Sequence, residues 1–297
     1  MSLRLEMIQV ARLAPKLLGD SSELVEAFLR SQQSDDGGFS DRDGNSDLYY
    51  TVFGLDSLIA LNVEVDFDRL ESHLHGFGDG ERLDFVHLCC LARAWSAMPD
   101  LNRLPTETRA QICQRITGFR AEDGGYNPKA HSPSGTAYGA FLALGAHQDL
   151  RIEFPEPLRA VQSLKFLETS DGAWTNDRLG PTKIGSTNAT AAAITTLRNL
   201  NAPINRDVAD WLMHRSHDHG GFRATPETPI PDLLSTATAL HSLSGLEASI
   251  EPVKDSCLDF LDTLWTNDGS FYGNWTEETL DCEYTFYALL ALGHLSL

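Results

Sequence analysis

Two kinds of helical segment alternate along the chain, and they differ in how their hydrophobic positions are spaced. One kind has apolar residues on a single face and charged residues on the other, which predicts amphipathic helices at the surface. The other kind is apolar nearly all round and rich in Ala, Leu, Thr and Tyr, which predicts buried helices. The amphipathic segments include 21–33, 206–215 and 257–265, and the apolar ones 47–61, 135–146, 188–200, 235–246 and 284–295.

A short motif occurs six times, each time between an amphipathic segment and the next apolar segment, and these copies define a repeat. Each copy combines an acidic residue, a glycine, a small residue and an aromatic residue, although the second copy lacks the aromatic. The copies are SDDGGF, FGDGE, AEDGGY, TSDGAW, HDHGGF and TNDGSF, with aligned glycines at Gly37, Gly80, Gly124, Gly172, Gly220 and Gly269, spaced 43 to 49 residues apart. Because glycine adopts positive φ without steric cost, we expect these positions to end the amphipathic helices.

The repeat predicts six helical hairpins, each made of one amphipathic helix and one buried helix. Such hairpins would form two concentric layers, so the predicted fold is an all-α, α/α toroid in which residues 1–297 form a single domain. An open helical solenoid is the alternative. A closed ring is favoured because the last apolar helix, which ends near Leu297, would leave an exposed end that solenoids cover with polar caps.

A central cavity would follow if the buried helices of the toroid run parallel. Their N-termini would then meet at one mouth, where unpaired N–H groups and helix dipoles attract an anion. Aromatic and polar residues near the starts of these helices are candidates for lining the cavity, and core packing is the alternative for each aromatic. The candidates are Tyr50, Tyr138, Trp174, Asn188, Ser235, Trp275, Tyr284 and Tyr287.

The composition narrows the possible partners and location. Acidic residues outnumber basic ones by 42 to 23, and the net charge of −19 disfavours nucleic acid and anionic membrane surfaces as partners. The five cysteines form no CxxC pair, which is typical of a reduced, cytoplasmic protein. We find no signal peptide and no apolar run long enough to cross a bilayer, so no membrane span is expected.

The recurring unit, DGGF or DGGY followed by YT or ST and a leucine-rich helix, resembles the repeat of prenyltransferases and squalene cyclases along essentially the whole chain. The similarity is greatest to protein prenyltransferase β subunits, above all those of the Rab geranylgeranyltransferase type. The resemblance implies an α/α toroid with a central cavity for an isoprenoid or similar apolar molecule. It also implies a helical protein partner, because those β subunits work beside a helical α subunit.

The residues that this family uses for catalysis are mostly replaced. The resemblance places the family's zinc ligands, an Asp, a Cys and a His, on Asp232, Leu234 and Tyr284. Leucine cannot bind a metal and neutral tyrosine is a poor zinc ligand, so we expect no zinc and no other cofactor. Of the bases that would hold a diphosphate, Arg223 alone remains in that stretch. Leu234 and Ser235 also stand where squalene-hopene-type cyclases carry their inner acids.

Three aspartates recur at the same place in copies one, five and six, namely Asp47, Asp232 and Asp281. As helix N-caps they would accept hydrogen bonds from the first turn of each buried helix. Asp232 and Asp281 are also candidate catalytic acids. Cys282, next to Asp281, is a candidate for a displaced metal ligand or a nucleophile, and the interpretation that we favour is a small buried thiol.

Three functions fit these observations. The first is a prenyltransferase β-subunit-like toroid that binds an isoprenoid or similar apolar ligand, with a zinc-independent transfer or cyclisation or with no catalysis. The second is a non-catalytic scaffold whose surface binds a protein partner. The third is a glycosidase that uses a pair of carboxylates, because many α/α toroids hydrolyse glycosides in that way.

Overall fold

The computed structural model describes residues 2–176 and 184–297, and helices dominate it. Fourteen α-helices lie within these residues: α1 (Leu3–Ala11), α2 (Pro15–Leu18), α3 (Ser22–Ser31), α4 (Leu48–Ala60), α5 (Phe67–His75), α6 (Phe85–Ser96), α7 (Thr106–Thr117), α8 (Ala137–Asp149), α9 (Pro157–Phe166), α10 (Thr187–Asn199), α11 (Val208–Met213), α12 (Leu233–Gly245), α13 (Lys254–Leu264) and α14 (Cys282–Leu295). Short 3-10 helices span Gly19–Ser21, Leu101–Arg103 and Glu251–Val253. Strands β1 (Phe39–Ser40) and β2 (Ser46–Asp47) form an antiparallel hairpin in which Phe39 lies opposite Asp47.

From α3 onward the helices follow one another as six pairs, which confirms the predicted hairpin repeat. The first helix of a pair is amphipathic: α3, for example, buries Val25, Phe28 and Leu29 and exposes the rest of its surface. The second helix is buried along most of its length, as the uniformly apolar segments predict. The second copy of the repeat, with its degraded motif, still forms the pair α5 and α6.

The chain forms two compact units. The first unit comprises the described residues of Met1–Arg4 and Phe67–Val208, and in it α8 packs between α6 and α10 while α7 and α9 also contact α8. The second unit comprises Leu5–Asp66 and Ala209–Leu297, and in it α14 packs between α4 and α12 while α13 contacts α14. In each unit the helices that the sequence predicts to be buried therefore form the core.

The motif glycines adopt the predicted positive φ, between 78° and 101°, but they do not end the helices. Each lies in a tight loop several residues beyond the helix, where its N–H donates to the carbonyl three residues earlier, as Gly37 does to Ser34 (3.1 Å). In five copies the residues before and after the loop form an antiparallel bridge, such as Gln33 with Phe39. The expected helix ends are therefore wrong, because the glycine turns a short hairpin instead.

All six buried helices begin at a residue whose side chain accepts a hydrogen bond from a backbone N–H in the first turn. These N-caps are Asp47, Asp84, Thr136, Ser186, Asp232 and Asp281. The predicted capping role of the three recurring aspartates is confirmed. Such caps satisfy N–H groups that have no partner within the helix, and each contributes about 1 kcal/mol.

A threonine in the first turn ties the buried helix to the preceding motif. The Thr236 hydroxyl accepts from the backbone N–H of Phe222 (2.9 Å) and donates to the backbone carbonyl of Asp232 (2.7 Å). Thr51 accepts in the same way from the N–H of Phe39 (2.9 Å). These bonds explain why the motif aromatic and the YT or ST pair recur together. In the described part of the chain, no helix is long and apolar enough to cross a membrane.

Candidate functional site

A cavity of about 390 Å³ lies in the second unit at the starts of α12 and α14. Its described lining residues are Thr228, Ile230, Asp232, Leu234, Gly273, Asn274, Glu283 and Tyr284. The three positions to which the resemblance assigns zinc ligands, Asp232, Leu234 and Tyr284, therefore line the same cavity. Its volume lies at the small end of the range of about 300–1,000 Å³ for small-molecule sites.

Backbone hydrogen bonds hold the start of α12 at the cavity wall. The N–H of Asp232 donates to the carbonyl of Phe222 (3.1 Å), and the N–H of Leu233 donates to the carbonyl of Gly273 (2.8 Å). The Asp232 carboxylate accepts from the N–H of Ser235 (2.7 Å). Burial raises the pKa of Asp232, and the hydrogen bonds from Ser235 oppose that rise.

Glu283 is the second acid that lines the cavity. The phenol O–H of Tyr49, on α4, donates to its Oε1 (2.7 Å). Burial raises the pKa of Glu283 to about 7, with the hydrogen bond from Tyr49 opposing the rise and the charge of Asp281 adding to it. A carboxyl group with this pKa can both hold and release a proton near neutral pH.

Asp281 lies beside the cavity and is engaged in an ion pair. Its side chain is 2% exposed, and its Oδ2 accepts from Nε (2.9 Å) and Nη2 (2.8 Å) of Arg42. Its Oδ1 accepts from the N–H of Tyr284 (2.8 Å), and the Arg42 guanidinium lies 5.2 Å from the centre of the Tyr284 ring. Asp281 therefore caps α14 and is the counter-ion of Arg42. We expected Asp281 to be an acid at the site, but Glu283 is the acid of this segment that lines the cavity.

Tyr284 is held in place from both sides of its ring. Arg42 covers one part of the ring. A Cβ atom added at Gly273 would overlap the ring, so the ring packs directly on the Gly273 backbone. Glycine is required at position 273 because the Tyr284 ring leaves no room for a side chain, and not because the backbone has a positive φ.

The other predicted lining residues of the second unit occupy different surroundings. Tyr50 is half-buried in the first turn of α4, where burial raises its pKa to about 12. Tyr287 packs against Phe53, with ring centres 5.5 Å apart, and Ser235 is fully buried in the first turn of α12. Trp275 is 40% exposed and its indole N–H donates to Thr263 (2.9 Å).

Three predicted lining residues belong to the first unit. Trp174 is buried in its core, with the indole N–H donating to the carbonyl of Leu164 (3.0 Å). The backbone N–H of Tyr138 donates to Oδ1 of Asn176 (3.0 Å), and Asn188 is half-buried in the first turn of α10. These residues do not line the cavity of the second unit.

The residues at the cavity do not fit a zinc ion. Leu234 has no donor atom, and the Tyr284 ring is covered by a cation. Burial raises the pKa of the nearby Cys282 thiol, which disfavours the thiolate that binds metals. Across residues 2–176 and 184–297, no group of three or more His, Cys, Asp and Glu side chains is arranged to hold a metal.

Comparison with known proteins identifies the fold. A family model described as the prenyltransferase alpha-alpha toroid domain matches residues 5–75 and 188–296. Candida albicans protein geranylgeranyltransferase-I complexed with GGPP is similar in structure, with a TM-score of 0.67 and 14% identity over 90% of this chain and 89% of that chain. No curated protein is significantly similar in sequence.

Two further solved structures are similar over nearly their whole length. One is a variant of a type II terpene cyclase from Scytonema in complex with geranylgeranyl dihydroxybenzoate, with a TM-score of 0.64 and 14% identity over 95% of this chain and 97% of that chain. The other is a protein from Actinoplanes, with a TM-score of 0.65 and 16% identity over 94% and 99% of the two chains. These similarities confirm the predicted α/α toroid fold.

Proposed function

Because the chain belongs to the prenyltransferase alpha-alpha toroid family, we propose that it binds an isoprenoid or a similar apolar chain, and that residues 1–297 act as one toroid domain. The observation that carries this proposal is the cavity at Asp232, Leu234 and Tyr284. From the register of the repeat we expect the reaction centre of the family at these residues. A ligand-sized cavity at that place supports a binding function even though the metal ligands are replaced.

Two of the similar structures hold ligands that share a chemical feature. The geranylgeranyltransferase is complexed with GGPP, and the terpene cyclase is in complex with geranylgeranyl dihydroxybenzoate. Both ligands carry a geranylgeranyl chain, so an isoprenoid tail is the ligand chemistry to test first. In this cavity, Ile230 and Leu234 supply apolar surface for such a tail.

Any reaction at this site would use acid–base chemistry of the chain's own residues. Glu283 is the proposed proton donor and acceptor, since its pKa of about 7 lets it exchange a proton near neutral pH. Tyr49 is a positioning residue, because its O–H holds the Glu283 carboxyl at the cavity wall. Asp232 faces the same cavity and is the proposed hydrogen-bond acceptor for the ligand.

The proposed function can be tested by identifying what the purified protein binds. Solvent extraction followed by mass spectrometry should recover an isoprenoid. Titration with geranylgeraniol and with geranylgeranyl diphosphate, followed by tryptophan fluorescence, should show saturable binding of at least one of them. Failure of both ligands to bind and recovery of no lipid would refute the proposal.

Introducing a charge into the apolar wall of the cavity tests where the ligand binds. Leu234→Asp should weaken binding at least tenfold, because the apolar contact with the ligand is lost and the new carboxylate must be desolvated when the ligand binds. A tenfold loss of affinity corresponds to about 1.4 kcal/mol. Leu158→Asp makes the same change on α9 at a side chain that is 77% exposed, and it should leave binding unchanged. Equal affinities for the two variants would contradict the assignment of the ligand to this cavity.

A carboxylate-pair glycosidase is the second candidate, because Asp232 and Glu283 line one cavity. Hydrolysis of aryl glycosides that is abolished by Glu283→Gln would support it. Absence of hydrolysis across a panel of such substrates would remove it. The scaffold that binds a helical protein partner and the cytoplasmic location stay predictions from the sequence, and affinity capture of a stoichiometric partner tests the former.

A further inference from the structure

The charges around the cavity determine which head group an isoprenoid ligand can carry. Of the eight described lining residues, Asp232 and Glu283 are acidic and none is basic. An anionic head group would therefore enter beside two carboxyl groups. In a partly buried site such like-charge contacts are screened far less than in bulk water.

The N-termini of the helices at the cavity do not offset the repulsion between an anionic head group and these carboxyl groups. The first turns of α12 and α14 would attract an anion if their N–H groups were open. The N–H of Ser235 is already bonded to the Asp232 carboxylate (2.7 Å), and that of Tyr284 to the Asp281 carboxylate (2.8 Å). The chain's own carboxylates therefore occupy the places at which a phosphate oxygen would be held.

The basic residues of this region have other acceptors. Arg42 pairs with Asp281 (2.8 Å) and Glu277 (3.7 Å), and its guanidinium lies over the Tyr284 ring. Arg223, the base that the sequence leaves in the diphosphate stretch, donates to the carbonyl of His214 (3.4 Å). Neither arginine lines the cavity.

We propose that the cavity selects an isoprenoid with an uncharged head group that donates a hydrogen bond, an alcohol or a phenol, and rejects isoprenoid diphosphates. A hydroxyl donates one hydrogen bond, which Asp232 or Glu283 accepts, and brings no charge that must be balanced. Ile230 and Leu234 remain available to the tail. This inference rests on the proposed function and specifies the substrate class of the same site.

The test compares two probes that share a tail and differ in the head group. Geranylgeraniol and geranylgeranyl diphosphate are titrated into the full chain without added metal, and binding is followed by tryptophan fluorescence or calorimetry. We expect geranylgeraniol to bind at least tenfold more tightly than the diphosphate.

Neutral variants isolate the contribution of the acids. In the double variant Asp232→Asn with Glu283→Gln, affinity for the diphosphate should rise tenfold or more, while affinity for the alcohol falls by less. Glu278→Gln removes one exposed negative charge five positions before Glu283 and should leave the ratio of the two affinities unchanged. Circular dichroism shows whether each variant folds, and Glu283→Gln alone repeats the test if the double variant does not.

The outcomes separate this inference from the proposed function. Tighter or equal binding of the diphosphate by the wild-type protein would overturn the inference and leave isoprenoid binding standing. An unchanged ratio in the neutral variants would also overturn it, because the carboxyl groups would not be the cause of the selection. Failure of both probes to bind would overturn the proposed function itself.

Discussion

Replacing Glu283 by glutamine should remove a pH-dependent loss of stability from the protein. Burial raises the pKa of Glu283 from 4.5 to about 7. Because the folded state holds this proton to higher pH than the unfolded chain, the stabilising contribution is complete below pH 4.5 and is lost as the pH rises through about 7. A difference of about 2.5 pKa units, at about 1.36 kcal/mol per unit, corresponds to about 3 kcal/mol, which partial solvent screening reduces to about 2–3 kcal/mol.

Urea unfolding of the wild-type protein and the Glu283→Gln variant, from about pH 5 to about pH 8.5, measures this effect. We expect the difference in the free energy of unfolding to shift in favour of the variant by about 2 kcal/mol across this range. Glutamine does not ionise, and its amide oxygen still accepts the hydrogen bond that Tyr49 donates in the wild-type protein (2.7 Å).

Glu278→Gln is the matched control, since Glu278 is exposed and lies on the same segment. For this control we expect a smaller change with pH than for Glu283→Gln, because the Glu278 side chain is exposed. The reasoning would be refuted if the difference in the free energy of unfolding between Glu283→Gln and the wild type did not change with pH. Glu283 would then ionise alike in the folded and unfolded states.

Three further predictions concern the repeat and the core. Thr236→Val leaves the buried N–H of Phe222 without its acceptor and should lower the free energy of unfolding by about 1–3 kcal/mol in urea titrations. At Gly220 an added Cβ would overlap a main-chain carbonyl of α13, whereas at Gly172 it meets no atom within 4 Å. Gly220→Ala should therefore destabilise by several kcal/mol and Gly172→Ala by only about 1–2 kcal/mol, as thermal melts would show. Burial lowers the pKa of His294 from 6.5 to about 3, so the folded state loses stability as the pH falls below 6.5. Replacing His294 by Gln should flatten the dependence of Tm on pH between about pH 6.5 and pH 4.

The repeat could be predicted from the sequence because its signals are local. A positive φ favours glycine, and a buried helix excludes charge, so both leave a visible pattern at a fixed period. The position of Gly37 within its turn could not be predicted in the same way. The turn depends on backbone hydrogen bonds, such as that from Ser34 N–H to the Gly38 carbonyl (2.9 Å), which leave no pattern in residue types.

Different residue types cap the buried helices in the same way, and a comparison of residue types alone does not detect this. Asp47, Asp232 and Asp281 were expected to cap because the same residue recurs in register. Thr136 and Ser186 perform the same role with a hydroxyl oxygen, accepting from Gly139 (2.9 Å) and Ala189 (3.3 Å). A search for cap chemistry, and not for a repeated aspartate, would have found them.

The candidate site could be found only in part. Asp232, Leu234 and Tyr284 were identified through the register of the repeat, and they line one cavity. Glu283 was not singled out, because its segment contains several acids and is typical of a solvated helix start. What distinguishes Glu283 is its burial and the bond from Tyr49, 234 positions away in the chain. Long-range contacts of this kind have no local signal in the sequence.

The replacement of the zinc ligands and the scarcity of phosphate-binding bases have one electrostatic explanation. A diphosphate beside Asp232 and Glu283 would need nearby cations to balance its charge, and a zinc ion or free arginines would supply them. In this chain Leu234 supplies no donor, and the charge of Arg42 is balanced by Asp281. Asp232 caps α12, and Glu283 accepts the hydrogen bond that Tyr49 donates, so both acids have structural partners. A cavity that keeps its acids without cations is suited to an uncharged ligand.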